Sequence, residues 1–148
     1  MEDTQISKNV NAEIQTLIAE KIKHVLDGDK NALLAHYAED IVSYELAQTL
    51  EFRGKESLDK RLTEWFASYE GKIRQEIKNL HMISGDDVAI SYCLMRTYGT
   101  TKDGEKRDMW YRITSGYKKA AGKWLIIHEH ISEPVDLKTG KALFDLKP

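Results

Sequence analysis

Two histidines, His128 and His130, occupy alternate positions near the end of a predicted strand over residues 123–133. Because strand side chains alternate between two faces, both imidazoles are expected on the same side. Imidazoles at this spacing can act as general acids and bases, as hydrogen-bond donors or as metal ligands. The pair predicts a functional surface, and two purely structural histidines are the alternative.

A neighbouring predicted strand over residues 105–119 adds polar groups to this surface. The side chains predicted to share one face are Trp110, Arg112 and Thr114 on this strand and His128, His130 and Ser132 on the next. A three-residue loop at 120–122, with glycine in its third position, pairs Arg112 with His130. A two-residue loop shifts the pairing by one residue and separates Arg112 from both histidines. The side chains that a three-residue loop at 102–104 adds to the same face are Tyr92, Leu94 and Arg96.

The most informative member of this predicted surface is Arg112, which lies between apolar neighbours. A guanidinium on the inner face of a sheet is costly unless it is paired with an acceptor. A structural pair with Glu45 or Glu129 is one interpretation. Recognition of an anionic or carbonyl-bearing ligand is the other.

A carboxylate, Glu45, ends an earlier apolar strand and has the same parity as Ile41 and Ser43. If Ile41 points into the core, Glu45 points toward a hollow at the end of the sheet. Loss of water around a carboxylate raises its pKa and suits it to act as a base. The alternative is a strand-end glutamate in contact with water.

A metal site on the two histidines needs further ligands. The candidates Glu45, His81 and Cys93 are scattered and lack a diagnostic spacing. The chain also lacks a glycine-rich phosphate loop and a Cys-x-x-Cys pair. The sequence therefore predicts neither a metal nor a cofactor.

Helical periodicity comes first and strand patterns follow. Predicted helices cover residues 14–26, a short stretch from Asp29 to Tyr37, and the segment from Gly54 to Gly71. A strand lies between the second and third helices, and four strands follow at about residues 73–83, 88–99, 105–119 and 123–133. This order predicts one α+β domain over residues 1–148, loosely ordered at 1–10, whose curved antiparallel sheet wraps around the helices.

Composition excludes several classes of partner. The 148 residues contain 22 Lys and Arg against 24 Asp and Glu, with a formal net charge of −2 and no basic stripe, which disfavours nucleic-acid binding. The apolar runs are too short to span a membrane, and the amino end lacks a signal-peptide pattern. A single cysteine fits a reducing compartment. We therefore expect a cytoplasmic protein.

Four segments carry a family resemblance. They are Tyr-Ala-Glu-Asp-Ile-Val at 37–42, Phe-Arg-Gly-Lys-Glu at 52–56, Trp-x-Arg-x-Thr at 110–114 and Gly-Lys-Trp-Leu-Ile-Ile-His-Glu-His-x-Ser-x-Pro at 122–134. They resemble the SnoaL-like, ketosteroid-isomerase-like branch of the nuclear transport factor 2-like superfamily. This resemblance implies a cone of three N-terminal helices on a strongly curved antiparallel sheet, with a pocket inside and dimerisation through the sheet.

The resemblance also implies roles for particular residues. In ketosteroid isomerases a catalytic aspartate ends the first strand, where this chain has Glu45, and a tyrosine on the first helix donates to the oxyanion, where it has Lys21. The expected function is a homodimer whose pocket binds a small organic molecule and performs cofactor-independent acid–base chemistry next to a carbonyl. Glu45 or His128 is the expected base, and Arg112 and His130 are expected to hold the oxyanion.

The ligand is expected to contact further side chains on the same surface. These are Tyr44, Trp65, Tyr92, Arg96, Trp110, Thr114 and Ser132. Aromatic residues at helix and strand spacing also commonly form the core. The alternative function is a non-catalytic ligand-binding or dimerisation module.

Overall fold

The computed structural model describes residues 2–47 and 49–148. A 26-residue helix, α1 (Glu2–Asp27), begins the fold. Its core side chains recur every three to four residues and are the buried Val10, Ile14, Leu17, Ile18 and Val25 with the partly buried Ile22. The helix ends at Gly28, whose φ of 68° is a left-handed conformation that suits glycine. Residues 2–10, which the sequence analysis expects to be loosely ordered, are the first part of α1, and Val10 packs in the core.

Two short helical segments flank the first strands. Helix α2 (Lys30–Leu34) is capped by Asp29, whose carboxylate accepts a hydrogen bond from the backbone of Ala32 at 3.0 Å. Strand β1 (Tyr37–Tyr44) pairs with the two-residue strand β2 (Phe52–Arg53), and helix α3 (Lys55–Ala67) follows. Tyr37, predicted to be helical, therefore begins a strand.

The remaining chain forms four long strands. They are β3 (Tyr69–Ser84), β4 (Val88–Thr101), β5 (Lys106–Ala120) and β6 (Lys123–Ser132). The order in the sheet is β2-β1-β6-β5-β4-β3. All neighbours are antiparallel except β1 and β6, which run parallel, so the sheet is mixed rather than antiparallel as predicted. The sequence pattern did not reveal this pairing because β1 and β6 lie far apart along the chain.

The core lies between α1 and one face of the sheet, which we call the inner face. Apolar side chains from α1, α2, β1 and α3 pack there against Tyr69, Ile73, Tyr117, Trp124 and Ile126. Burial of this apolar surface is the main force that holds the helices on the sheet. Among the described residues, no helix is both long enough and apolar enough to cross a membrane.

The β4–β5 hairpin has the predicted register. Arg96 lies opposite Trp110 and Tyr92 lies opposite Thr114, as the three-residue loop at 102–104 requires. This part of the strand-pairing prediction is confirmed.

The β5–β6 hairpin departs from the predicted register. Its loop contains two residues, Ala121 and Gly122, both with positive φ, and Ala120 pairs with Lys123. A bulge near Ile127 then adds one residue to β6, so that Gly116 faces His128. As a result Thr114 faces His130 and Arg112 faces Ser132. The predicted pairing of Arg112 with His130 is therefore wrong by two residues.

The bulge also decides which side chains of β6 point into the core. Trp124 and Ile126 lie on the inner face before the bulge, and Glu129 lies there after it. His128 and His130 consequently lie on the opposite, outer face. Strict alternation from Trp124 would place Trp124 and both histidines together, and the extra residue breaks that alternation.

Candidate functional site

A cavity of about 130 Å³ lies between α1, α3 and the inner face of the sheet. Its apolar lining includes Ile18, Ile22, Val25, Leu33, Leu58, Leu62, Trp65, Met95, Met109, Ile113 and Ile131. The polar side chains that reach it include Lys21, Tyr37, Glu45, Arg61, Gln75, Ser91, Tyr111, Ser115, Tyr117 and Glu129. Most of the surface area of this lining is apolar, and polar groups from several elements converge on it, an arrangement that is typical of a small-molecule site.

One charged pair, Glu45 and Arg61, joins the end of β1 to α3. The Nε atom of Arg61 lies 2.9 Å from Oε2 of Glu45, at ion-pair distance but without the alignment of a hydrogen bond. Ser43 donates its hydroxyl to the other carboxylate oxygen at 3.2 Å. Burial raises the pKa of Glu45, and the Arg61 guanidinium partly offsets this effect. Glu45 is therefore a desolvated carboxylate that faces an apolar space.

A second charged pair lies deeper, between Lys21 of α1 and Glu129 of β6. The Lys21 Nζ atom donates to Oε2 of Glu129 at 2.6 Å, and the two side chains are only 13% and 7% exposed. Tyr37 donates its hydroxyl to Oε1 at 3.0 Å, and Ser115 approaches Oε2 at 3.5 Å. Burial has the largest single effect on the pKa of Lys21 and lowers it. The Glu129 carboxylate, with smaller contributions from Tyr37 and Tyr117, outweighs burial and holds the pKa well above its ordinary value.

Two buried tyrosine hydroxyls on β5 are already satisfied by protein partners. The Tyr111 hydroxyl lies 2.7 Å from the hydroxyl of Thr97, and the Tyr117 hydroxyl lies 2.8 Å from that of Ser91. Burial raises the pKa of both phenols, which keeps them neutral. Burial also raises the pKa of the Cys93 thiol to about 11, so this side chain is a poor nucleophile.

Only part of the predicted site reaches this cavity. Glu45 and Trp65 line it. The predicted side chains that lie on the outer face instead are Tyr44, Tyr92, Arg96, Trp110, Arg112, Thr114, His128, His130 and Ser132. The prediction that Arg112 and the two histidines point inward is wrong, because the helices cover the opposite face of β5 and the bulge near Ile127 reverses the end of β6.

In the described part of the chain, Arg112 pairs with neither Glu45 nor Glu129, which was one of the two interpretations of this residue. Its Nε atom donates to the Ser132 hydroxyl at 3.0 Å, whereas Glu45 and Glu129 lie on the inner side of the sheet. The carboxylate that the Arg112 guanidinium affects is Glu133. Burial raises the pKa of Glu133, and the guanidinium partly lowers it again. Arg112 is therefore a surface residue with local partners.

The two histidines form an aromatic group with Tyr44 on the outer face. The Tyr44 ring lies edge-on to His128 at 4.8 Å and to His130 at 5.3 Å between centroids. The Nδ1 atom of His128 also lies 2.7 Å from the carbonyl oxygen of Val42. Among the side chains that the structure describes, those of residues 5–47 and 49–148, no three His, Cys, Asp or Glu groups come close enough together to hold a metal ion.

Other predicted contact residues are engaged on the outer face. Arg96 contacts Asp108 at 2.8 Å and Glu76 at 3.0 Å, and its guanidinium lies over the Tyr98 ring. Tyr92 stacks on His81 with 5.1 Å between ring centroids. These side chains form ion pairs and aromatic contacts on the outer face, and they do not reach the cavity.

Several polar residues at the cavity were not predicted as site residues, among them Lys21, Tyr37, Arg61 and Glu129. Lys21 had a detectable signal, because it lies four residues from both Leu17 and Val25 on the apolar stripe of α1. The inward position of Glu129 had no comparable signal, because it depends on the bulge.

Comparison with known proteins agrees with the fold. The SnoaL-like domain family matches residues 14–136. A nuclear transport factor 2-like protein of unknown function from Pseudomonas putida is 35% identical, with a TM-score of 0.87 over 96% of this chain and 99% of that chain. No curated protein matches the sequence.

Two more distant structures share the fold alone. A ketosteroid isomerase-like protein from Erwinia carotovora atroseptica is 21% identical, with a TM-score of 0.70 over 82% of this chain and 93% of that chain. A type 2 hexachlorocyclohexane dehydrochlorinase is 13% identical, with a TM-score of 0.73 over 84% of each chain. The family match and the 35% identical structure show that the chain belongs to the SnoaL-like family of the nuclear transport factor 2-like superfamily.

Proposed function

We propose that the cavity binds a small, largely apolar organic molecule and that Glu45 removes a proton from a carbon next to its carbonyl group. The observation that carries this proposal is a desolvated carboxylate facing an apolar cavity, with its pKa raised by burial. A carboxylate in such surroundings is a stronger base than one in water. The SnoaL-like family, with folds shared by an isomerase-like protein and a dehydrochlorinase, supports a ligand-binding or catalytic domain.

The proposed reaction needs no cofactor. Glu45 accepts the proton from the carbon between the carbonyl and a double bond, and the electron pair of that C–H bond moves into an enolate. Return of the proton to the far end of the double bond gives the conjugated ketone and regenerates the carboxylate. Arg61, 2.9 Å from Glu45, holds the carboxylate in place. We assign no role in this step to Arg112, His128 or His130, which lie outside the cavity.

The test is an isomerisation assay with a simple ketone, the β,γ-unsaturated isomer of cyclohexenone. The ultraviolet absorbance of the conjugated product measures the rate. Replacement of Glu45 by Gln should lower kcat/KM by about 100-fold or more, because it removes the general base. The matched control is Glu39→Gln on the same strand, where the carboxylate is 88% exposed. Equal turnover in Glu45→Gln and the unmodified protein contradicts the assignment of the base.

The pH profile of kcat/KM gives a second readout. Activity should fall as pH decreases through the pKa of Glu45, because the base must be ionised. The midpoint should lie above the ordinary glutamate value of about 4.3. A midpoint at or below that value contradicts a desolvated base.

The second candidate function is a binding module without catalysis. It is favoured by the pairing of Glu45 with Arg61, which can neutralise the carboxylate. Binding of the ketone can be measured by the NMR shifts of cavity-lining methyl groups. If the unmodified protein binds the ketone but does not convert it, this alternative is favoured.

We further propose that the protein forms a homodimer through the outer face of the sheet. The supporting observation is a set of exposed apolar and aromatic side chains on this face, including Tyr44 at 38%, Ile90 at 37% and Tyr92 at 41% exposure. Tyr92→Asp should convert the dimer to a monomer in sedimentation experiments. Leu137→Asp, at a residue 97% exposed in the C-terminal tail, is the matched control. A monomeric unmodified protein at all concentrations tested contradicts this proposal.

A further inference from the structure

We propose that the cavity has a second polar subsite, formed by Gln75, Thr97 and Tyr111, which binds a neutral hydroxyl group at the end of the ligand remote from the reacting carbon. We call these three residues the polar trio. This inference rests on the proposed function, because it takes the ligand to occupy the same cavity with its carbonyl group near Glu45. It names the class of ligand: a hydroxy ketone whose two oxygen atoms lie on opposite sides of a ring.

The first argument is the position of the polar trio in the sheet. Tyr44, the last residue of β1, is level with Thr114 of β5 through their common partner on β6. Tyr111 lies three residues farther along the sheet, about 10 Å at the usual rise of a strand. Its hydroxyl contacts Thr97 of β4, which lies beyond it. Because Glu45 directly follows Tyr44, the proposed base and the polar trio lie at separate places along the cavity.

The second argument is the number of protons that the polar trio holds. The hydroxyl oxygens of Thr97 and Tyr111 lie 2.7 Å apart, so one hydrogen bond joins them and uses only one of their two protons. The Nε2 atom of Gln75 donates to Thr97 at 3.1 Å and approaches the Tyr111 hydroxyl at 3.4 Å. In the part of the chain that the structure describes, neither hydroxyl donates to another acceptor. One hydroxyl proton is therefore left for a further partner.

Burial decides which hydroxyl keeps that proton. Thr97 is 1% exposed, whereas Tyr111 is 7% exposed and lines the cavity. If Tyr111 donated to Thr97, the Thr97 proton would be buried without an acceptor, which carries a free-energy penalty. The favoured direction therefore runs from Gln75 to Thr97 and from Thr97 to Tyr111, and the Tyr111 hydroxyl donates into the cavity. Burial raises the pKa of Tyr111, so the phenol keeps its proton.

The third argument is the acceptor that Gln75 adds beside this donor. Gln75 lines the cavity, and its Oε1 atom accepts no hydrogen bond from a described residue. The two heteroatoms of an amide lie about 2.2 Å apart, so Oε1 is no more than about 5.6 Å from the Tyr111 oxygen. One hydroxyl oxygen can lie about 2.8 Å from each of two such atoms. An alcohol can therefore accept from Tyr111 and donate to Gln75, whereas a carbonyl oxygen or an anion can only accept.

The surroundings of the polar trio also favour a neutral group. Met95 is the strand partner of Tyr111, Met109 is the strand partner of Thr97, and both methionines line the cavity. An ion beside these apolar side chains would lose its hydration without gaining an opposite charge from the trio. A hydroxyl group needs only the donor and the acceptor that the polar trio provides.

The experiment compares two probes that differ at one position. They are 4-(hydroxymethyl)acetophenone and 4-ethylacetophenone, in which a methyl group replaces the hydroxyl. Calorimetric titration measures the Kd of each probe. The unmodified protein should bind the hydroxymethyl probe at least about tenfold more tightly, because a site built for a hydroxyl rejects the analogue that lacks it.

Two variants remove the two contacts separately. Tyr111→Phe deletes the donor, and Gln75→Met replaces the acceptor by an apolar chain of similar length. Each should reduce the preference to about twofold or less and bind the ethyl probe within about threefold of the unmodified protein. A merely structural role would weaken both probes equally and leave their ratio unchanged.

Further variants test the positioning residue and the specificity of the effect. Thr97 is a positioning residue, so Thr97→Val should lose part of the preference, and Thr97→Ser, which restores the hydroxyl, should retain it. The matched control is Tyr98→Phe on the outer face, where the Arg96 guanidinium lies over the ring. This control should leave the Kd of both probes unchanged.

The outcomes separate this inference from the proposed base. Loss of the preference in Tyr111→Phe or Gln75→Met supports the polar trio even if Glu45→Gln keeps full turnover, which would overturn only the base. Equal binding of the two probes by the unmodified protein, an unchanged preference in both variants, or its loss in Tyr117→Phe alone overturns the polar trio. Failure of the unmodified protein to bind either probe overturns the class of ligand, and the isomerisation assay then judges the base alone.

Discussion

The inner and outer faces of the sheet carry similar residue types in very different surroundings. At the inner face, Lys21 of α1 and Glu129 of β6 form an ion pair whose side chains are 13% and 7% exposed. On the outer face, Arg96 is 29% exposed and its partner Asp108 is 45% exposed. Charges interact strongly where water is excluded and weakly where water and salt screen them. The same chemical groups are therefore suited to ligand chemistry on one face and to surface contacts on the other.

The contrast is sharpest along three consecutive residues of β6. Glu129 points into the cavity, while His128 and His130 on either side of it point outward. One extra residue at the bulge decides this arrangement. Residue type alone does not identify a functional group, because the direction of the side chain sets its access to a ligand.

The largest expected change in stability concerns Ile126 and Ile127, two adjacent isoleucines on the inner and outer faces of the sheet. Ile126 is 0% exposed and lies in the core, so Ile126→Ala should lower the free energy of unfolding by about 4 kcal/mol. Ile127→Ala should lower it by about 1 kcal/mol, because this residue is only partly buried. Urea denaturation of both variants measures the difference, and equal losses contradict the assignment of the two faces.

The next largest change in stability concerns the buried ion pair of Lys21 and Glu129. Glu129→Leu should destabilise the protein by about 3 kcal/mol, because it leaves the Lys21 ammonium without its carboxylate. The combined change of Lys21→Met and Glu129→Leu should recover much of this loss, since neither charge remains. A double-mutant cycle by urea denaturation tests the coupling, and additive losses show that the pair does not interact.

A smaller effect should appear at alkaline pH. The raised pKa of Lys21 means that the folded protein holds this proton more tightly than the unfolded chain does. The resulting stability is fully present below about pH 10.4, the ordinary pKa of lysine, and is lost as pH rises toward the raised value at up to about 1.4 kcal/mol per pH unit. Removal of both Lys21 and Glu129 should reduce the slope of this dependence in thermal unfolding without abolishing it, because burial also raises the pKa of Tyr111 and Tyr117. An unchanged slope shows that other groups cause it.

The smallest effect is expected on the outer face. Arg112→Ala should change the free energy of unfolding by no more than about 0.5 kcal/mol and leave isomerisation of the ketone unchanged. Water can replace the lost hydrogen bond from Arg112 to its partner Ser132. A large loss of turnover in Arg112→Ala contradicts the separation between the two faces.

Local sequence patterns identify the helices and strands of this protein better than they identify its cavity residues. Apolar periodicity predicted α1, α3 and the long strands, because each has a continuous pattern of buried residues. The loop at 102–104 also predicted the β4–β5 register correctly. Glu45 and Trp65 were identified as candidates and line the cavity. Arg112, His128 and His130 were assigned to the wrong face, because parity groups residues without showing which group is covered by helices.

The sequence by itself determined the order of the elements, the α+β class and the family, since these follow from local periodicity, turn residues and short motifs. Tertiary structure decided the parallel pairing of β1 with β6, the bulge at Ile127 and the meeting of Lys21 with Glu129 across 108 positions of the chain. In each strand, alternate side chains form two sets that point to opposite faces. Packing against the helices decides which of the two sets is buried away from water. That selection depends on contacts between distant segments, so it has no local signature in the sequence.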